Sequence, residues 1–181
     1  MSHLAPELVT ERLRLRGYAR DDFDWFDETW RSEAVNRHIG GRPRSRAENW
    51  PRYLQNFGQW ELFGYGFWMI EERDGGTRVG IAGLMHAMRD IAAIDAYPEA
   101  GWVLADGTGG KGYGTEAMRA ILAWADATLD APQTGCIIDP GNAASINVAH
   151  KLGYRSTGMV PYLEGETCTF ARLRGGDPIA S

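Results

Sequence analysis

The first pattern along the chain is a strict alternation. Leu13 and Leu15 fall between Arg12, Arg14 and Arg16, which predicts a half-buried strand over residues 8–18 with one charged face. The period then lengthens. Asp21 and Asp22 lead into Phe23, Trp25, Phe26 and Trp30, whose spacing and acidic start predict an amphipathic helix. Residues 39–43 read as a loop. Ser45 is placed as an N-cap, with Glu48 at the capping-box position, for a second helix through Trp50, Tyr53, Leu54 and Phe57. Pro51 weakens that helix unless it lies in the first turn. Strands are predicted over 65–72 and 78–88, joined at Asp74-Gly75-Gly76, followed by a loop over 90–97 and a strand at Glu99–Leu104. A helix over 115–129 carries an apolar face of Ala117, Ala120, Ile121, Trp124, Ala125 and Leu129. A short buried strand at 134–138 precedes a helix capped by Asn142, carrying Ile146, Val148, Ala149 and Leu152 and stopped by Gly153. Residues 155–160 and 166–172 form a closing hairpin, and 175–181 a frayed tail.

This order gives a mixed α/β (α+β) chain, in which the central hairpin excludes a uniformly parallel sheet. With 181 residues, 44% of them apolar, one domain over 1–174 with a substantial core is expected. A net charge of -5 argues against a protein that coats nucleic acid or an anionic membrane, although Arg42, Arg44 and Arg46 cluster locally. Cys136 and Cys168 have no metal-ligand spacing and make no disulfide framework, so no metal is expected and a cytoplasmic home fits. There is no apolar signal core and no run of membrane-spanning length.

Candidate chemistry concentrates where the strand Glu99–Leu104 passes through Gly107, Gly109, Gly110, Gly112 and Gly114 into a helix. Glycines let an anion approach the unpaired N–H groups and partial positive charge of a helix N-terminus. Three phosphate-bearing ligands compete. A nucleoside-triphosphate loop needs Ser or Thr after Gly-Lys, and Gly112 follows Lys111. A dinucleotide fingerprint is matched formally over 107–112 and 112–117, but past mid-chain, with too little sequence after it for the remaining parallel units. The third ligand is an acyl-coenzyme A.

The run Gly110-Lys111-Gly112-Tyr113-Gly114-Thr115-Glu116-Ala117 resembles the coenzyme A pyrophosphate loop of the GNAT superfamily of N-acetyltransferases. Asn142-Ala143-Ala144-Ser145-Ile146-Asn147-Val148-Ala149-His150-Lys151-Leu152-Gly153-Tyr154 resembles that family's second motif. Thr10-Glu11-Arg12-Leu13-Arg14-Leu15-Arg16 resembles the opening strand of its ribosomal-protein N-terminal acetyltransferase (RimJ/RimL-like) branch. The resemblance implies a single-domain GNAT-like fold. Its sheet is mixed, mostly antiparallel and flanked by helices, splaying between Glu99–Leu104 and residues 134–138.

It also implies a division of labour. Trp102, Val103 and Leu104 pair with the pantetheine arm as an added strand would. Gly109, Gly110, Lys111, Gly112, Tyr113, Gly114 and Thr115 line the pyrophosphate, and Asn142 holds the arm from the other side. Gly109 stands where the family often has Gln or Arg, which removes a side-chain contact. The tyrosine acid common on the second-motif helix is absent, since alignment puts Ala149 there. Ser145 becomes the candidate donor to the leaving thiolate and a contact for the cofactor. Tyr154, where relatives have Phe, reads as packing. Glu99 is the candidate base, directly or through water, and needs a raised pKa or a relay because an ordinary carboxylate is a weak base for an ammonium. His38 and His86 are candidate acceptor-side residues. Trp25, Trp30, Trp50, Tyr53, Trp60 and Trp68 pack mostly against the sheet, with one or two free to line a pocket.

The implied activity is transfer of an acetyl group from acetyl-CoA to a primary amine, either a protein N-terminus or a small molecule, by direct attack in a ternary complex. The protein is expected as a monomer or homodimer. The alternatives are a non-catalytic acyl-CoA sensor, motivated by the missing tyrosine, and a dinucleotide-binding oxidoreductase.

Overall fold

The structure, a computed structural model, describes residues 5–176. Eight strands form one mixed sheet in the order β1-β2-β3-β4-β5-β6-β8-β7. They are β1 (Leu8–Val9), β2 (Leu13–Arg16), β3 (Phe67–Glu72), β4 (Arg78–Met85), β5 (Glu99–Leu104), β6 (Gln133–Ile138), β7 (Arg155–Tyr162) and β8 (Gly165–Leu173). The helices are α1 (Phe23–Arg31), α2 (Glu33–Asn36), α3 (Arg46–Phe63), α4 (Ala92–Asp95), α5 (Tyr113–Thr128) and α6 (Ala143–Lys151). Every pairing is antiparallel except β5 with β6.

Two apolar cores lie on opposite faces of the sheet, as its alternating side chains require. On one face Ala117, Met118 and Ile121 of α5 share a core with Leu13, Leu15, Trp68, Ile70, Val79, Ala82 and Leu84, which Ala149 of α6 and Leu152 just past it extend. On the other, Phe23, Phe26, Trp30 and Tyr53 of α1 and α3 pack on Phe67, Met69, Ile81 and Val103. Trp30, Tyr53, Trp60 and Trp68 are therefore core residues, whereas Trp50 remains 47% exposed.

The N-terminal alternation breaks earlier than its pattern predicts. A turn at residues 10–12 folds β1 back on β2, because the Thr10 Oγ1 accepts the Leu13 N–H at 3.0 Å and the Thr10 N–H donates to the Leu13 carbonyl. The charged face of β2 is neutralised rather than solvated. Arg16 makes a two-pronged pair with the buried carboxylate of Asp22 at 2.7 and 2.8 Å and also reaches Glu71 across the ladder, while Arg78 donates to Asp22 at 2.8 Å. Burial pushes the Asp22 carboxyl up, but Arg16, the Ala19 N–H and Arg78 outweigh it and hold it below the ordinary value.

The capping box of α3 forms as expected: the Glu48 N–H donates to Ser45 Oγ, and the Ser45 N–H donates to Glu48 at 2.8 Å. Pro51 falls in the second turn, where its missing N–H forfeits one bond to Ala47, and the helix continues through Phe63. Residues 90–97, predicted as plain loop, contain the short α4, whose turn is fixed by Asp95 accepting the N–H groups of Arg89 and Ile91 at 2.7 and 3.0 Å. The expected frayed tail falls at residues 175–181, of which 177–181 lie outside the described residues.

Candidate functional site

The site begins where β5 leaves the sheet. The loop after it is pinned at its start, since the Ala105 N–H and the Thr108 hydroxyl both donate to the Val79 carbonyl, at 2.9 and 3.0 Å. Gly107, Gly110 and Gly112 then adopt φ of +75°, +78° and +82°, a left-handed region that favours glycine. A Cβ at Gly107, Gly109 or Gly110 would meet nothing within 4 Å, so the backbone borders open space. Helix α5 starts from Gly112 with no side-chain cap, and its first internal bond runs from the Glu116 N–H to the Gly112 carbonyl at 3.0 Å. The N–H groups from Gly109 to Thr115 have no hydrogen-bond partner among the described residues.

The first-turn carboxylate that could satisfy them is turned away. Glu116 Oε1 accepts from Thr10 Oγ1 at 2.6 Å and the Arg12 N–H at 2.9 Å, and Oε2 accepts from Arg12 Nε at 2.7 Å. Burial raises the Glu116 carboxyl, but these bonds outweigh it and hold it below its ordinary value. Arg12 also donates to the Lys111 carbonyl at 2.9 Å, fastening the β1–β2 turn beneath the glycine loop. The result is a cradle of free donors at a positive helix end, with its nearest anion tied elsewhere.

The cradle opens into a cleft. On its β4 side, β5 is fully laddered from Met85↔Glu99 to Gly80↔Leu104. On its β6 side the pairing is Glu99↔Gly135 alone, after which the strands part. The edge of Trp102, Val103 and Leu104 toward β6 is thus free of a strand partner, with Trp102 and Leu104 leaning on the α5 core and Val103 on the α1–α3 core. Across the gap, Asn142 caps α6 by accepting the Ser145 N–H at 3.0 Å. A cap uses the side-chain oxygen and leaves the amide N–H₂ to donate elsewhere. Ser145 is half-buried in the first turn of α6, and its hydroxyl has no partner among the described residues. It is therefore not consumed in satisfying the helix end, the ordinary fate of a first-turn serine.

Glu99 sits at the apex of the cleft, 3% exposed. Its Oε2 accepts from Arg89 Nε at 2.6 Å, and Arg89 donates in turn to the Tyr162 hydroxyl at 2.6 Å. Burial lifts the carboxyl above its ordinary value, with Arg89 opposing and Asp95 adding to the rise.

The two candidate histidines separate. His38 reaches the cleft, its Nδ1 lying 3.2 Å from Asp139 Oδ1 in the segment that leads into Asn142. His86 instead faces α3: Gln59 bonds its backbone in both directions, and its ring lies 4.9 Å from that of Phe63. Tyr154 is fully buried with its hydroxyl 2.7 Å from Thr134 Oγ1, and burial pushes its pKa far up, so it packs rather than titrates. Ala149 is fully buried on α6. Two cavities, of about 280 and 350 Å³, lie elsewhere, one beside Arg119, Asp126 and Arg172, the other beside Phe63, Tyr97 and Pro132. Among the described residues, no group of three or more His, Cys, Asp or Glu is placed to hold a metal ion, and no helix is long and apolar enough to cross a membrane.

Arg89, Tyr162, Asp139 and the Arg12–Glu116 clamp escape sequence reasoning. The one signal for Arg89 was indirect, because a carboxylate buried as deeply as Glu99 demands a cation, and Arg89 lies 10 positions away.

Comparison with known proteins gives the same outline. The YkkB protein of Bacillus subtilis (strain 168), itself uncharacterized, is 30% identical over 149 residues, covering 81% of this chain and 84% of that one. An acetyltransferase from Agrobacterium tumefaciens str. C58 superposes with a TM-score of 0.81 at 30% identity, covering 92% of this chain and 94% of that one. A structure described as a GnaT-family acetyltransferase from Bordetella pertussis superposes with a TM-score of 0.82 at 27% identity, covering 93% and 99%. The family model for the acetyltransferase (GNAT) domain matches residues 12–155. With that match, a cradle of free N–H groups at the start of α5, and a sheet split beside it, the chain belongs to the GNAT acetyltransferase family.

Proposed function

We propose that this acyltransferase moves an acetyl group from acetyl-CoA to a primary amine by direct attack in a ternary complex. The observation that carries this is the continuity of the unpaired N–H groups from Gly109 to Thr115 with the unpaired β6-side edge of β5. Together they offer sites for a pyrophosphate and an extended amide-bearing arm in one groove. Acetyl-CoA supplies the thioester whose carbonyl the amine attacks. The N–H groups of residues 109–115 bind and orient phosphate oxygens. Trp102, Val103 and Leu104 present backbone groups to the arm, and the side-chain N–H₂ of Asn142 faces it from α6.

A carbon–nitrogen bond forms as the carbon–sulfur bond breaks, so the amine must lose a proton and the sulfur must gain one. Glu99, with its raised pKa, takes the amine proton directly or through one water. The unengaged hydroxyl of Ser145 donates a hydrogen bond to the departing sulfur, and the proton that Glu99 takes from the amine passes to water, which returns one to the thiolate. His38 borders the acceptor through its contact with Asp139. His86, a second acceptor-side candidate, would have to act from the α3 flank.

The acceptor class stays broad. A spermidine N-acetyltransferase from Vibrio cholerae, in complex with CoA and spermine, shares the fold at 14% identity and a TM-score of 0.74. RimL, a ribosomal L7/L12 α-N-protein acetyltransferase in complex with CoA, shares it at 16% and 0.76. A protein N-terminus and a small amine both belong in the test panel. Two free cysteines fit a reducing, cytoplasmic setting, and the working unit is a monomer or homodimer. Calorimetric titration with acetyl-CoA, followed by thiol release over the amine panel, tests the proposal. Saturable binding with turnover on at least one amine is expected. No binding at high micromolar cofactor would overturn it, and binding without turnover on any amine would favour the sensor alternative.

A further inference from the structure

Four elements converge on Glu99. The loop after β4 supplies Arg89, α4 supplies Asp95, β6 supplies Cys136 and the end of β7 supplies Tyr162. Of these only Arg89 donates a hydrogen bond to the carboxylate, and it does so at one oxygen: Oε2 accepts at 2.6 Å, whereas Oε1 accepts none among the described residues. Arg89 is itself held. Its NH1 donates to the Tyr162 hydroxyl at 2.6 Å, and its guanidinium carbon lies 5.6 Å from the centre of the Tyr162 ring. Tyr162 pairs with Gly165 at the turn of the β7–β8 hairpin, on the far side of the cleft from β4 and β5. The chain Glu99–Arg89–Tyr162 therefore spans the split in the sheet, from the first residue of β5, where it pairs with β6, to the hairpin turn.

We propose that Arg89 and Tyr162 are positioning residues for the transfer. Arg89 fixes the Glu99 carboxylate so that Oε1 alone faces the acceptor, and Tyr162 fixes Arg89 while drawing the hairpin turn over the acceptor face. This rests on Glu99 as the proton acceptor. The division of oxygens is the physical content. A guanidinium on both oxygens would hold the carboxylate in a closed two-pronged pair with no lone pair directed at substrate. A single Nε contact keeps the carboxylate oriented and ionised and leaves the second oxygen free. The surrounding groups act in opposite senses, since Arg89 favours the charged form while burial and Asp95 disfavour it. Without Arg89, nothing charged opposes the burial. Cys136, fully buried, stays a neutral thiol, because burial pushes its pKa well up.

The test is the pH dependence of kcat/KM for four variants, measured with one amine of low pKa so that the acid limb reports the enzyme. Glu99→Gln should abolish the acid limb. Arg89→Met should move the limb to higher pH by about 1 or more, the direction for a buried carboxylate without its cation. Arg89→Lys should return it near the wild-type position. Tyr162→Phe should leave the limb in place and raise the acceptor KM several-fold. Should Arg89→Met fail to fold, Arg89→Gln carries the same test, because it keeps a donor to Oε2 without the charge. A role in stability alone would lower the melting temperature of these variants without moving the limb. A limb that Glu99→Gln abolishes but that neither Arg89→Met nor Arg89→Gln moves would overturn the positioning role. A limb that survives Glu99→Gln would instead overturn Glu99 as the base.

Discussion

Replacing Gly112 with aspartate separates the two demands made on the helix end, which must be both a stable N-terminus and an anion site. Gly112 sits at φ +82° and ψ 3°, and the nearest atom to an added Cβ is Arg12 NH2 at 3.5 Å, so there is room for a side chain. The left-handed backbone costs an L-residue about 1 kcal/mol, less for aspartate than for most. A carboxylate at the N-cap returns about 1 kcal/mol through the free N–H groups and the helix dipole, and it lies beside Arg12. Folding stability should therefore stay within about 1 kcal/mol of wild type. Binding should not. A fixed negative charge about 5 Å from a bound phosphate costs roughly 3 kcal/mol at an effective dielectric of 20. That corresponds to about a hundredfold in Kd. Gly112→Ala is the control, since it carries the backbone strain without the charge, and its Kd should stay within about threefold of wild type. Calorimetry with CoA gives the affinities, and thermal unfolding without ligand gives the stabilities. If Gly112→Asp binds CoA as tightly as Gly112→Ala, the phosphate does not sit at this helix end.

Further outcomes follow from the same geometry. Ser145→Ala should lower kcat by roughly tenfold or more with little change in the KM for acetyl-CoA, as expected for a group engaged at the leaving sulfur; an equal loss in binding would reassign it. Tyr154→Phe strands the buried Thr134 hydroxyl and should cost about 1–2 kcal/mol by denaturant unfolding, with kcat unchanged if Tyr154 only packs. Asp22→Asn leaves Arg16 with Glu71 alone and Arg78 without its carboxylate, and because both guanidiniums are partly exposed the cost should fall below the figure of about 3–5 kcal/mol for breaking a fully buried pair. Because the folded-state pKa of Asp22 is lowered, its contribution is complete above the ordinary carboxylate value. It is lost as pH falls below that value and through the depressed one, so the stability difference between wild type and Asp22→Asn should shrink in that acid window.

What the sequence made legible was local. Ser45 with Glu48 and Asn142 with Ser145 lie within one helical turn of each other, and both caps form as the spacing implies. The glycine loop was legible because left-handed backbone and an uncapped helix start leave a compositional trace. The turn at Thr10 left none, since the alternation of Arg12, Leu13 and Arg14 resumes directly after it and the chain is redirected by the Thr10 hydroxyl and N–H bonding Leu13. The partners of the site were out of reach for another reason. Arg12 and Glu116 are 104 positions apart, His38 and Asp139 are 101, and Arg89 and Tyr162 are 73. Charge complementarity at those separations is one possibility among many until the sheet order selects it. The same limit made His38 and His86 look alike, although one meets the segment before α6 and the other rests on α3.

The single β5–β6 pairing also bears on how the protein opens. Strands β1 to β5 form one continuous ladder and β6 to β8 another, and between them the sheet contributes only Glu99↔Gly135. Cooperativity across that seam must come from α5 and α6 and from side-chain bridges such as Glu99–Arg89–Tyr162 rather than from backbone pairing. The two ladders are then candidates for separate units of sub-global unfolding, with amide protection dropping in β6–β8 at a lower free energy than in β2–β4. In the proposed reading, a ligand lying in the seam takes the place of the missing strand. Native-state hydrogen exchange with and without CoA should therefore show protection rising in both ladders together, on amides well beyond those the ligand touches.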